Sequence, residues 1–114
     1  MKYMLLFYSN EGIAIPEAEQ ATLYPAWMDL LKEATAAGVL KFNSGLAPTS
    51  NATTVRVREH KTLLTDGPFA ETHEQLGGFF LIECQDLDEA VAWAAKVPTA
   101  RYGAIEIRPT WDNV

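Results

Sequence analysis

The feature that most constrains the fold is a pair of segments in which apolar residues follow one another without alternation. Lys2–Tyr8 has the sequence KYMLLFY, and Gly78–Cys84 has the sequence GFFLIEC. Successive side chains of a β-strand point to opposite faces, so strands of this composition present apolar groups on both faces of their sheet. Each of the two predicted strands therefore needs cover from two sides, by helices or by another sheet.

Apolar residues at helical spacing predict a first helix before Gly38, a natural helix stop. Pro25 falls inside the span, so the helix either begins near Pro25 or is kinked there. A start near Pro25, with a looser turn opened by Pro16, is favoured. The predicted buried stripe consists of Leu23, Trp27, Leu30, Leu31 and Ala34.

A second helix is predicted after Asp86, which is a good N-cap residue and has Glu89 three positions later, as in a capping box. Pro98 is expected to end this helix. Its predicted buried stripe consists of Leu87, Ala90, Val91 and Ala94.

The remaining strands are shorter. Val39–Ala47 predicts one strand, and the alternation of Ile105 and Ile107 with charged residues predicts a last one over Ala104–Pro109. Between them, Thr54–Arg58 and Lys61–Thr65 predict a hairpin with one solvated face, turning at Glu59-His60.

The predicted order is therefore β-α-β, a hairpin, then β-α-β, in a single domain that spans residues 1–114. This order is typical of a ferredoxin-like α+β fold, with both helices on one face of an antiparallel sheet. The second sheet face is left open, yet Lys2–Tyr8 and Gly78–Cys84 place apolar side chains on it. An exposed apolar patch of this kind predicts a symmetric homodimer that packs sheet on sheet.

Composition excludes several classes of partner. The net charge is −6 and the cations are scattered singly, which disfavours a nucleic-acid binder and an anionic membrane surface. No segment approaches the length of a membrane span, and the short apolar N-terminus lacks a signal-peptide pattern, so a cytoplasmic protein is expected. Cys84 is the single cysteine and the two histidines are not at ligand spacing, so neither a disulfide nor a metal site is predicted.

The stretch Leu63–Glu83 carries the densest set of candidate functional residues. Asp66 opens the turn Asp66–Phe69, and a carboxylate on a loop beside an apolar sheet can serve as a general base. The alternative is that Asp, Gly and Pro are present because they favour turns. The pair Gly77-Gly78 leads into a strand, so it predicts a β-bulge or a close backbone approach, and no phosphate-binding loop or other cofactor site.

Four other residues are candidates for the same site. His73 can form a proton-transfer pair with Asp66 if the segment between them is a short helix. Arg56, Ser9 and Phe69 are candidates to contact a bound molecule. For Arg56, cross-strand pairing with acidic neighbours is the competing expectation. The tryptophans Trp27, Trp93 and Trp111 are predicted to be core or interface anchors.

Seven blocks of the chain carry a resemblance to known proteins, namely Lys2–Leu6, Ala52–Arg58, Thr65–Thr72, Glu74–Phe79, Asp86–Ala90, Arg101–Gly103 and Glu106–Pro109. Taken together, they resemble the YCII-related or DGPF-domain family. That resemblance implies a dimeric α+β barrel. In some relatives a His–Asp pair has been proposed, with its histidine on the first helix. The first helix here, around Tyr24–Met28, has no histidine, while Asp66 can match the acidic member.

The sequence is compatible with two functions. The first is a protein that binds a small, partly apolar metabolite between helices and sheet, with Asp66 moving a proton in cofactor-free chemistry such as lactone isomerisation. The second is a non-enzymatic accessory or ligand-sensing protein, since relatives of the family often occur near genes for alternative sigma factors. A closed apolar pocket around Asp66 favours the first hypothesis, and an exposed Asp66 favours the second.

Overall fold

The computed structural model describes residues 1–113, and Val114, the last residue of the predicted domain, lies outside them. A four-stranded antiparallel sheet has the order β2-β5-β1-β6, and a two-stranded hairpin, β3-β4, stands apart from it. The predicted ferredoxin-like α+β fold is confirmed. The elements are β1 Lys2–Ser9, α1 Glu17–Ala36, β2 Leu40–Gly45, β3 Thr53–Arg58, β4 Lys61–Asp66, β5 Gln75–Glu83, α2 Leu87–Ala95 and β6 Ala104–Pro109, with 3-10 turns at Thr49–Asn51, Pro98–Arg101 and Trp111–Asn113.

The core lies between the helices and one face of the sheet. Alternate residues of β1 and β5 are buried there, and Leu5 and Ile82 at the centre are fully buried. Both helices contribute to the same cluster, α1 through Leu30 and α2 through Ala90, so both cover the same face. Burying aliphatic and aromatic side chains of this size supplies about 1.5–3 kcal/mol each. The cluster consists of Tyr3, Leu5, Phe7, Leu30, Val39, Phe80, Ile82, Cys84, Ala90, Ala94 and Val97.

The opposite face of the sheet, which we call the open face, is also apolar. In the β1–β5 register Met4 lies opposite Leu81 and Leu6 lies opposite Phe79, and residues directly opposite each other share a face. Phe42 of β2 extends this surface by stacking on Phe79 at 5.9 Å between ring centroids, and it is 59% exposed. Both helices of the described chain pack on the other side, so this apolar surface is left open.

Helix α1 begins earlier than predicted. Its first residue is Glu17, so the start expected near Pro25 is wrong, and Pro25 lies inside the helix. Pro25 has no N–H to donate to the carbonyl of Ala21, but both residues are exposed, so water can satisfy that carbonyl. The first turns are also held by tertiary contact, because the Tyr102 hydroxyl donates to the Glu19 carboxylate at 2.7 Å.

The predicted cap of α2 is confirmed. The Asp86 carboxylate accepts a hydrogen bond from the Glu89 N–H at 2.9 Å, and the Glu89 carboxylate in turn accepts one from the N–H of Gln85 at 2.7 Å. The helix ends at Ala95, and Pro98 begins the 3-10 turn that follows. The first bond satisfies a backbone donor of the first helical turn, and the second ties the carboxylate of Glu89 to the residue just before the cap.

The predicted buried stripe of α2 is only half right. Ala90 and Ala94 are buried, but Leu87 and Val91 are exposed. The buried residues instead continue beyond the helix to Val97, which belongs to the same core cluster as Ala90 and Ala94. Among the tryptophans, Trp27 and Trp93 pack against the core, whereas Trp111 is 93% exposed and is not a core anchor.

The hairpin turns at Glu59 and His60, as predicted. Both residues have positive φ, 52° and 64°, the backbone of a type I′ turn, which matches the twist of hairpin strands. A single solvated face is not seen in the described chain, where every residue of β4 is exposed and no strand of the four-stranded sheet pairs with the hairpin.

The glycine pair lies inside β5, which begins at Gln75 and not at Gly78. Phe7 pairs with Gly78 and Tyr8 pairs with Leu76, so Gly77 is the extra residue of a β-bulge. A Cβ on Gly78 would lie 2.8 Å from the carbonyl oxygen of Ser44, closer than real Cβ atoms approach. The expectation of a bulge and a close backbone approach is therefore confirmed.

We expect Gly78→Ala to destabilise the fold because β2 has to move away from β5 to admit the methyl group. The expected loss in free energy of unfolding is about 1–3 kcal/mol. Gly77→Ala is the matched control, because its Cβ meets its nearest atom at 3.9 Å, an ordinary contact, and we expect a change within about 0.5 kcal/mol. Urea denaturation measures both, and equal losses would contradict the prediction.

Candidate functional site

A cleft of about 290 Å³ lies between α1 and the edge of the sheet formed by β2 and β5. Its walls are largely aromatic and aliphatic, and Tyr24 at its margin is exposed to solvent. The sheet side of the cleft is formed by glycines from two neighbouring strands. The lining residues are Phe7, Tyr24, Trp27, Met28, Leu31, Asn43, Ser44, Gly45, Gly77, Gly78 and Phe80.

Glycines form part of the cleft. A Cβ on Gly45 would meet no atom within 4 Å, so the space beside it is open, whereas a Cβ on Gly78 would meet the backbone of Ser44 and Gly45. At one end of the cleft, the ring of Trp27 on α1 packs against the ring of Phe7, with 5.5 Å between the ring centroids. The two ring planes are tilted by 45° to each other, and both rings line the cleft.

The aromatic wall consists of three rings. Phe7 and Phe80 meet edge to face at 5.0 Å, and Trp27 lies 6.1 Å from Phe80. A flat apolar ligand can therefore contact ring faces or edges on one side of the cleft and glycine backbone on the other.

Polar groups in the cleft are few. Asn43 shares the face of Phe80, its partner in the β2–β5 register, and its amide can both donate and accept hydrogen bonds. The Ser44 hydroxyl donates to the carbonyl of Gly45 at 2.9 Å. No carboxylate, imidazole or thiol is among the lining residues in the described chain. The cleft by itself is therefore suited to binding and orientation, with the Tyr24 phenol as its one ionisable side chain.

Asp66 lies elsewhere, as the last residue of β4, where it is exposed to solvent and does not line the cleft. The turn that follows it is firmly held. Gly67 has φ +100°, its N–H donates to the carbonyl of Ala52 at 2.7 Å, and its carbonyl accepts from the Thr54 hydroxyl at 2.8 Å. This geometry explains the glycine of the turn, while a chemical role for Asp66 stays a prediction.

His73 is exposed in the connection between β4 and β5. That connection consists of bends and has no helical turn, so the condition under which His73 was expected to approach Asp66 is not met. The end of the connection is tied to other segments instead. Gln75 donates to the carbonyl of Thr72 and accepts from the N–H of Glu11 at 2.9 Å.

Two of the proposed ligand contacts lie together. The guanidinium carbon of Arg56 is 5.1 Å from the ring centroid of Phe69, a cation–π contact on the exposed hairpin. The expected cross-strand pairing with acidic residues is wrong, because Leu63 lies opposite Arg56 and Lys61 lies opposite Arg58. Neither Arg56 nor Phe69 lines the cleft.

Ser9, the fifth candidate, is the last residue of β1 and pairs with Gln75 of β5. It is half-buried and lies two positions beyond Phe7, which does line the cleft. None of the five candidate residues lines the cleft, so sequence reasoning missed its lining as a ligand site, including Asn43, Gly45 and Tyr24. A signal was present, since Tyr24 and Met28 widen the apolar stripe of the first helix beyond what the core needs.

Two perturbed side chains belong to packing and not to the cleft. Burial raises the pKa of the Cys84 thiol, with Glu89 adding to the effect, and the thiol contacts the carbonyl of Asp86 at 3.5 Å. The hydrogen bond to Glu19 raises the pKa of the Tyr102 phenol. Within residues 1–113, no three His, Cys, Asp or Glu residues cluster so as to hold a metal ion, and no helix is long and apolar enough to cross a membrane.

Comparison with known proteins gives two matches. Residues 1–113 match the family model described as the YCII-related domain. The chain is also similar to an uncharacterized protein of Rhizobium meliloti (strain 1021), with 37% identity over 113 residues, covering 96% of this chain and 91% of the relative. The region matched by the family model includes the cleft, the hairpin and Asp66.

Proposed function

The chain belongs to the YCII-related family, and we propose that it binds a small, partly apolar metabolite in the cleft between α1 and the β2–β5 edge. The observation that carries this proposal is the pairing of an aromatic wall with a glycine floor. A packed interior normally leaves few voids larger than a water molecule. An opening of about 290 Å³ lined in this way is at the lower end of the range of ligand sites.

The lining also limits the class of ligand. Trp27, Phe7 and Phe80 favour a flat or ring-shaped apolar body. Asn43 favours a carbonyl or hydroxyl group on that ligand, because its amide can donate to the first and accept from the second. The lining carries no cation to pair with a strongly anionic ligand.

Cofactor-free acid–base chemistry at Asp66 is the catalytic part of the proposal. Since Asp66 is exposed and outside the cleft of its own chain, it acts on a bound ligand only where another surface covers it. A second copy of the chain can provide that cover. The proposed state is therefore a homodimer. The proposed location is the cytoplasm.

The open face of the sheet supports the homodimer. Met4, Leu6, Phe79, Leu81 and the exposed Phe42 form a contiguous apolar surface across three strands. Two copies related by a two-fold axis can pack these faces against each other, so that the same patch of each subunit is buried in the interface.

The second candidate is a non-enzymatic accessory or ligand-sensing protein linked to alternative sigma factors. The exposed position of Asp66 favours it, together with apolar side chains exposed on the hairpin. Such a role operates through protein contact or ligand sensing, because the chain has no basic patch for nucleic acid.

A thermal-shift screen with small cyclic metabolites tests the cleft, since a ligand that binds the native state raises its unfolding temperature. We expect Met28→Trp to fill the cleft and weaken binding of any hit by about tenfold or more, or ~1.4 kcal/mol. Leu87→Trp is the control, because Leu87 is similarly exposed (52% against 47% for Met28) but lies on α2, outside the lining. Equal weakening by both variants would place the ligand elsewhere.

Asp66→Asn separates chemistry from binding. With a ligand found in the screen, we expect the variant to keep its affinity and to lose turnover by about 10²–10⁴-fold, the usual contribution of a general base. Asp88→Asn, an exposed carboxylate on α2, is the control. Full turnover in the Asp66 variant would remove the catalytic role and favour the accessory function.

The homodimer is tested by light scattering at micromolar concentration. We expect a dimer, and we expect Phe42→Asp to weaken it by at least about tenfold, ~1.4 kcal/mol, because a carboxylate enters an apolar contact. Val91→Asp, at an exposed apolar residue of α2, serves as the control. A wild-type protein that runs as a monomer contradicts the proposal.

A further inference from the structure

We propose that the β3–β4 hairpin is a dimerisation arm, which docks on a second copy of this chain through the face that carries Val55, Val57 and Leu64. This inference rests on the homodimer proposed above and adds a second contact to it, separate from the open face of the sheet. In the proposed dimer, the surface of the second copy that contacts the hairpin also covers Asp66.

The two faces of the hairpin differ in chemistry. Val55 lies opposite Leu64, Val57 opposite Thr62, and Thr53 opposite Asp66, so these six residues share one face. The other face carries the cations Arg56, Arg58 and Lys61, with Leu63 and two threonines. We call the first the apolar face of the arm. Its aliphatic residues are 57%, 59% and 69% exposed at Val55, Val57 and Leu64.

A two-stranded ribbon with both faces in water is at best marginally stable. The hairpin nevertheless has β-branched residues on alternate positions of one strand, the pattern of a face that packs against something. Within the described chain nothing covers it, since the hairpin forms a separate sheet. A packing partner must therefore come from outside the chain.

The overall dimensions show that the single chain exposes enough surface for a dimer. The radius of gyration is 16.2 Å, whereas a compact domain of this length is expected near 13 Å. The accessible surface is 7939 Å², against about 6,200 Å² for a compact monomer of this mass. The excess, on the order of 1,700 Å², includes the open face as well as the arm, and it is larger than the roughly 800 Å² that each partner buries in a standard interface.

Symmetry favours a second copy as the partner. The cations of the arm lie on its other face, and Asp66 is the one charged residue of the apolar face, so the proposed contact is mainly apolar. Each chain offers one arm and one body, so a two-fold arrangement satisfies both contacts at once.

Docking of the arm also bears on the site. Asp66 lies on the apolar face at the base of the arm, opposite Thr53. A second copy packed on Val55 and Leu64 shields this carboxylate from bulk water, which an exposed turn in a single chain cannot do. The candidate general base is then enclosed only in the dimer, as chemistry on a bound ligand requires.

Two neighbouring residues allow a matched test on the full chain. Leu64→Asp introduces a carboxylate on the apolar face, and Leu63→Asp introduces the same carboxylate one position away on the cationic face. By light scattering over a concentration series, we expect wild type and Leu63→Asp to be dimers. We expect Leu64→Asp to raise the dissociation constant by about a hundredfold or more, because its charge is left unpaired in the interface.

Photo-crosslinking keeps the test decisive if Leu64→Asp fails to fold. Benzoylphenylalanine placed at Leu64 is expected to give covalent dimers, whereas the same group at Leu63 is not. Dimers that survive Leu64→Asp and give no crosslink from position 64 would overturn the arm while leaving the open-face dimer intact. A wild-type monomer would overturn both.

Discussion

The pairing of β1 with β5 is the interaction on which the rest of the structure depends. Leu5 lies opposite Phe80 and Tyr3 opposite Ile82, and both helices pack on the side chains these strands bury. Because the two strands are apolar at consecutive positions, they present apolar side chains on both faces of the sheet. One face packs against the helices and forms the core. The open face is not covered by any other part of the described chain.

The cleft follows from a local exception in the same strand pair. The bulge at Gly77 interrupts the β1–β5 register, and the close approach of Gly78 to Ser44 brings β2 against the glycine pair. The backbone of Gly78 lies close to β2 there, and the cleft opens beside Trp27 and Gly45, where no side chain fills the space.

Function and assembly are connected through exposed surfaces. The cleft holds no carboxylate or imidazole, and the candidate base Asp66 stands on a hairpin with no cover in its own chain. The proposed binding cleft and the candidate base are therefore separated in the single chain. In the proposed dimer, a second copy docked on the hairpin would shield Asp66 from bulk water, so the proposed chemistry would depend on the oligomeric state.

The sequence by itself determined the ferredoxin-like order, the cap at Asp86 and the bulge at the glycine pair, because each depends on local periodicity or on one residue's backbone chemistry. Tertiary structure decided the rest. The early start of α1 goes with the Tyr102–Glu19 hydrogen bond and with solvent access at Ala21, the exposure of Leu87 and Val91 depends on how α2 lies on the sheet, and the cleft brings together glycines of strands far apart in sequence. No local pattern encodes contacts of that range, because they arise only when separate elements pack together.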